Sequence, residues 1–109
     1  MEYIHPKRRE IRSFDDLLLK ILDIFYFYKK GEELGKTKKR LNLLKLVGKR
    51  KFGDRAEEVE KEINKAKDIL KNHDKNAYEE YISYLEKEHK SAIEKLNKEK
   101  KSSLLSFFK

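Results

Sequence analysis

The chain has 109 residues, and its 28 lysines and arginines against 20 acidic residues leave a net charge of +8. This length suits one small domain with short tails, and the absence of cysteine excludes disulfides, thiolate metal sites and cysteine nucleophiles. The lack of cysteine also favours an intracellular location. The most apolar run, from Leu17 to Tyr28, is interrupted by Lys20 and Asp23 and is shorter than the about 20 residues that a membrane-spanning helix needs, so we expect no membrane segment.

The N-terminal part of the chain predicts a basic arm followed by a strongly apolar helix. Residues 1–12 are rich in lysine and arginine, and Pro6 disfavours an early helix. Ser13 can cap the first helix, with Asp16 at the capping-box position, and Gly31 is expected to end it. Because apolar residues cover most of its circumference, this helix either lies at the centre of a bundle or pairs with another chain.

A second helix is predicted from about Thr37 to Val47, after a loop over residues 31–36. Its inward stripe comprises Leu41, Leu44 and Val47, with Leu43 and Leu46 alongside. Gly48 is expected to end the helix, and residues 49–53 are expected to form a basic turn.

The rest of the chain predicts two further helices that pack as an antiparallel pair. Asp54 is expected to cap the third helix, with Glu57 as its capping-box partner. Residues 72–75 break the periodic pattern, and a fourth helix is predicted from Asn76 to about residue 96. No strand pattern is present, so the predicted fold class is all-α, a small bundle of about four helices over residues 13–100.

The last nine residues, 101–109, are expected to form a flexible C-terminal peptide with an unusual apolar end. Phe107 and Phe108 follow a highly polar run, and Leu104 precedes them at helical spacing. One turn of 3₁₀ or α helix would place these three side chains on the same side. They would either dock into a partner's pocket or cover the protein's own core.

The sequence Lys101-Ser-Ser-Leu104-Leu-Ser-Phe107-Phe108 resembles the PCNA-interacting peptide, or PIP box, of replication and repair proteins. In archaeal proteins this motif often lies at the very C-terminus. The resemblance implies that Leu104, Phe107 and Phe108 fill a hydrophobic pocket on the sliding clamp. Lys101 stands where the family prefers glutamine, so the usual polar contact of that position would differ.

The segment from Leu34 to Gly53 has basic residues and no acidic ones, whereas charge runs on a merely solvated face are usually balanced. Its candidate nucleic-acid-binding residues are Lys36, Lys38, Lys39, Arg40, Lys45, Lys49, Arg50 and Lys51. Contacts of such side chains with phosphates bind any sequence and weaken with salt. A sequence-reading helix-turn-helix is disfavoured, because the third helix begins with four glutamates that would repel phosphate.

Catalysis and metal binding have little support in the sequence. Glycines are isolated, so no phosphate-binding loop is indicated. Glu86 and His89 form one Glu-x-x-His step, half of the pattern that di-iron helical bundles use, and His89 is expected to be a surface residue. We therefore expect no catalytic residues, no metal and no cofactor.

The predicted function is a non-catalytic, nucleoid-associated accessory protein of archaeal-type DNA replication or repair. Its partners would be DNA, the sliding clamp, and a DNA polymerase or nuclease that it assists. The abundance of Lys and Glu resembles the surface of thermophile proteins. Two alternatives stay open: a basic RNA-binding subunit of an RNA-guided ribonucleoprotein, and a structural protein that forms a homodimer through its first helix.

Overall fold

The computed structural model describes residues 10–98, so the basic arm up to residue 9 and the C-terminal peptide lie outside the described residues. The helices are α1 (Phe14–Lys29), α2 (Leu34–Lys51), α3 (Ala56–His73) and α4 (Ala77–Glu88), with 3₁₀ turns at Gly53–Arg55 and Asp74–Asn76. Residues 90–98 are again helical. No strand occurs over residues 10–98, and the predicted all-α bundle is confirmed. None of the helices in this part of the chain is long and apolar enough to cross a membrane.

Helix α1 occupies the centre of the bundle. Its predicted start is confirmed: the amide of Asp16 donates to Ser13 Oγ, and the Asp16 carboxylate accepts from the amide of Ser13 at 3.1 Å. The side chains from Leu17 to Phe25 are buried apart from Lys20, because α2 and α4 pack against both sides of the helix. The chain thus covers most of its own apolar first helix.

Helix α2 differs from its prediction at both ends. It begins at Leu34 and continues to Lys51, so the residues predicted as a basic turn are helical as far as Lys51. Gly48 lies buried inside the helix and does not end it. A Cβ atom at Gly48 would lie 2.9 Å from Val59 Cγ1 and 3.2 Å from Leu17 Cδ1. This glycine therefore lets α2 approach α1 and α3 closely. Glycine is also the residue that most often ends a helix, so the sequence alone does not distinguish the two roles.

The predicted cap of α3 is wrong. The 3₁₀ turn at Gly53–Arg55 occupies the place of the cap, and Asp54 makes no capping hydrogen bond. The start of α3 is instead held by Arg55, whose guanidinium pairs with Glu58 at 2.6 Å and lies 3.9 Å from the centre of the Phe14 ring.

A break before α4 is confirmed, but α3 continues to His73, so the break covers Asp74–Asn76 and not residues 72–75. A second break follows that the sequence pattern did not indicate. Asp74 has a positive φ of 43° in the 3₁₀ turn between α3 and α4. The helix then ends at Glu88, His89 takes non-helical backbone angles (φ −139°, ψ 62°), and helical structure resumes at residue 90. Ala92 and Leu96 are still buried, because this last segment packs on the bundle.

Candidate nucleic-acid interface on the second helix

All eight predicted nucleic-acid-binding residues lie on α2, but the structure divides them into two groups. Lys45 and Lys49 point toward α3, where their ammonium groups lie 3.6 and 3.4 Å from the carboxylate oxygens of Glu60. The hydrogen bond from Lys49, together with the charges of Lys49 and Lys45, holds the pKa of Glu60 below its usual value. The single Glu60 carboxylate thus offsets one of these two positive charges, and it directs both ammonium groups toward α3.

Arg40 and Lys51 are also engaged inside the protein. Arg40 Nε lies 2.8 Å from Glu32 Oε1, and its guanidinium lies 5.5 Å from the centre of the Phe27 ring. Lys51 Nζ donates a hydrogen bond of 3.1 Å to the backbone carbonyl of Ile11. Half of the predicted basic residues thus serve contacts within the fold.

The other four basic residues, Lys36, Lys38, Lys39 and Arg50, are exposed, and none has an ion-pair partner among residues 10–98. The three lysines lie near the start of α2, whose first turn contains no acidic residue and whose N-cap Glu33 makes no capping hydrogen bond. The N-terminus of a helix carries a partial positive charge, so these ammonium groups add to that charge. A bound anion would lower the electrostatic energy of this end of the helix.

The outward face of α2 carries a regular line of five residues that we call the outer seam: Lys36, Lys39, Leu43, Leu46 and Arg50. The intervals of three and four residues place them along one side of the helix. Leu43 is 63% exposed and Leu46 is 61% exposed. Their placement beside the inward stripe was therefore wrong, because the core contacts of α2 are made by a narrower face that includes Thr37, Leu44 and Gly48.

A buried polar cluster that the sequence pattern did not indicate lies between α3 and α4. Glu62 is 5% exposed, and its carboxylate accepts hydrogen bonds of 2.9 and 2.8 Å from the Tyr84 hydroxyl. Glu62 Oε1 also lies 3.1 Å from His89 Nε2. Burial, and then the hydrogen bond to Glu62, raise the pKa of Tyr84 well above its usual value.

This cluster links α3 to α4 and to His89 at the second break. His89 is half-buried there, contrary to its expected place on the surface, because the end of α4 brings it beside α3. Among residues 10–98, no group of three His, Cys, Asp or Glu side chains is arranged to hold a metal ion. The period of α3 could have indicated the cluster, since Glu62 lies three residues after Val59 and four before Ala66, on the inward side of the helix.

Lys101, Leu104, Phe107 and Phe108 lie outside the described residues, so their docking on a clamp stays a prediction.

The helical segment over residues 90–98 is held against the start of α1 by two side-chain contacts. Lys95 is hydrogen-bonded to the Asp16 carboxylate, and Ser91 Oγ donates to Asp15 Oδ1 at 3.0 Å. Burial would raise the pKa of Asp16, but the hydrogen bonds from Lys95 and from two backbone amides lower it overall. Residues 90–98 are thus anchored to the start of α1.

Comparison with known proteins identified no relative of this chain. No protein-family model matches it, and no curated protein or solved structure shows significant similarity to it. The function is therefore inferred from the chemistry of its own residues.

Proposed function

We propose that this protein is a non-catalytic DNA-binding accessory protein of archaeal-type replication or repair, which binds the DNA backbone through α2 and the sliding clamp through its C-terminal peptide. The DNA-binding half rests on one observation: four exposed cations on α2 make neither an ion pair nor a side-chain hydrogen bond within residues 10–98. Lysine and arginine side chains in this state can bind phosphates without first breaking an internal ion pair. Such contacts position a protein on DNA but do not read its sequence.

Because four of the eight basic residues are engaged in contacts within the fold, DNA affinity is expected to depend less steeply on salt concentration than eight phosphate contacts would require. Each phosphate contact with duplex DNA contributes about −0.9 to the slope of log affinity against log salt concentration. Four available cations predict a slope of about −3 to −4, whereas eight would predict about −7. The pairing of Lys45 and Lys49 with Glu60 accounts for part of this difference.

Replacing Lys36, Lys38, Lys39 and Arg50 by alanine is expected to weaken DNA binding and to flatten the salt slope by about 0.9 per lost contact. The measurement is fluorescence anisotropy of a labelled duplex across a salt series. A matched control removes the same charge elsewhere, by replacing the exposed lysines Lys71, Lys75, Lys87 and Lys90 with alanine.

The control separates a local interface from a simple effect of net charge. The control variant is expected to keep most of the slope, because its lysines lie on α3, α4 and the segments that follow them. Equal losses in the two variants would mean that only the total charge matters. An unchanged slope in the α2 variant would mean that its cations are merely solvated.

The clamp-binding half is tested by Phe107→Ala/Phe108→Ala. Burial of each ring contributes roughly 1.5–3 kcal/mol, so the loss of both is expected to weaken binding to an archaeal sliding clamp by at least about a hundredfold. Isothermal titration calorimetry with purified clamp measures this. Leu105→Ala is the matched control, because that leucine occupies a free position of the motif. Equal affinities of the wild type and the double variant would refute clamp docking.

The two alternative functions, an RNA-binding subunit and a structural homodimer, are distinguished from the proposed one by RNA affinity and by molecular mass in solution. An RNA-binding subunit would bind RNA at least as tightly as DNA of the same sequence and would not bind a clamp. A homodimer through α1 would show a mass that rises with concentration. The residues from Leu17 to Phe25 are already covered by the protein's own helices, which leaves such a dimer mainly the last turn of α1, where Phe27 is 40% exposed.

A further inference from the structure

The outer seam contains two side chains that phosphate binding does not explain. Leu43 and Leu46 are the most exposed of the large apolar side chains among residues 10–98, and they lie between Lys39 and Arg50. A phosphate oxygen is charged and strongly hydrated, so it gains nothing from contact with a leucine. The seam therefore offers cations toward its ends and an apolar surface at its centre.

We propose that the outer seam binds single-stranded DNA, with its cations on the phosphates and with Leu43 and Leu46 against unstacked bases. This inference rests on the DNA binding proposed above and specifies its ligand. In a duplex the flat faces of the bases are stacked inside, so a helix lying along the backbone meets mainly charged groups. A single strand exposes these apolar faces to protein side chains beside its phosphates.

The dimensions of the seam agree with this ligand. Lys39 and Arg50 are eleven residues apart, which corresponds to about 16 Å along the helix. Leu43 and Leu46 lie between them, three residues apart on the same side. A short single-stranded segment can therefore contact both cations through its phosphates while its intervening bases lie over the two leucines.

Two other ligands, a second copy of the chain and an acidic helix of another protein, fit the outer seam less well. A second copy of the chain would bring the same cations against each other, and the seam contains no acidic residue to offset the repulsion. An acidic protein helix would match the charge, but two leucines supply little of the apolar area in a stable protein interface, which buries about 800 Å² on each partner. Nucleic acid needs only small apolar contacts, because the charges supply most of its affinity.

The test compares three ligands of the same length: an oligothymidylate of about 16 nucleotides, an abasic phosphodiester chain and a duplex. The variant is Leu43→Ala/Leu46→Ala in the full chain, and the matched control is Leu34→Ala. Leu34 is 43% exposed on the same helix but lies off the seam. Alanine is the best helix former, so both variants are expected to retain the helical circular dichroism of the wild type.

Fluorescence anisotropy should show that the seam variant binds oligothymidylate about tenfold more weakly than the wild type. Its affinity for the abasic chain should change less than about twofold, because that ligand has no bases to contact. Leu34→Ala should bind all three ligands like the wild type. The wild type should also bind oligothymidylate more tightly than the duplex.

Several outcomes would overturn the inference while leaving the proposed function intact. These are unchanged oligothymidylate binding in the seam variant, an equal loss on the abasic chain, or tighter binding of the duplex by the wild type. A dimer in sedimentation that the seam variant abolishes would assign the leucines to a second copy of the chain. If the wild type binds none of the three ligands, the proposed DNA binding fails, and this inference fails with it.

Discussion

Phe25→Ala is expected to lower the free energy of unfolding by about 3–5 kcal/mol, the usual cost of removing a large aromatic side chain from a packed core. Phe25 is fully buried on α1, and its ring packs edge-on against Tyr81 of α4 with the ring centres 5.3 Å apart. Alanine would leave a cavity at the junction of these helices. For a chain of this size such a loss is a large share of the total stability.

Urea denaturation followed by circular dichroism measures this effect, and Phe27→Ala is the matched control. Phe27 lies two residues further along the same helix and is 40% exposed, with the Arg40 guanidinium over its ring. Its replacement is expected to cost less than about 1 kcal/mol. Similar losses in the two variants would contradict the central position of α1.

Gly48→Leu is expected to destabilise the protein by about 3 kcal/mol, because the position has no room for a side chain. Even a Cβ atom would lie 2.9 Å from Val59 Cγ1, and Val59 is a stiff, fully buried residue of α3. The larger side chain would push α2 away from α1 and α3. Thermal unfolding and denaturant titration both measure the loss.

The control for this variant is Gly35→Ala on the same helix. No heavy atom lies within 4 Å of the place where its Cβ would stand. Alanine there is expected to stabilise the protein by about 0.4–1 kcal/mol, because it restricts the unfolded chain more than glycine does. A Gly48→Leu variant as stable as the wild type would mean that α2 does not need its close approach to the core.

The candidate interface shows which of its features are visible in the sequence and which are not. The excess of basic residues between Leu34 and Gly53 is visible in the sequence, and the structure places all eight of these residues on one helix, α2. The sequence did not indicate that Lys45 and Lys49 are paired with Glu60, because their partner lies on another helix. Nor did it place Leu43 and Leu46 on the outward face. The predicted helix was shorter than the observed one, and the face that it was expected to bury was wider.

The sequence by itself determined the features that depend on neighbours along the chain. The capping box of Ser13 and Asp16, the end of α1 near Gly31 and the presence of a break before α4 all arise from interactions within a few residues. The periodic apolar residues likewise determined the helical fold class. Local interactions of this kind are encoded in short sequence patterns, so they can be recognised without a structure.

Only the tertiary structure decided features that need atoms from distant parts of the chain. Gly48 serves a close helix contact because Leu17 and Val59 approach it, and a helix-ending glycine would have the same sequence signature. The second break at His89 lies where Tyr84 and His89 meet the buried carboxylate of Glu62. Which cations of α2 lack an ion-pair partner within residues 10–98 was decided in the same way, because an ion pair forms only when packing brings opposite charges within a few ångströms of each other.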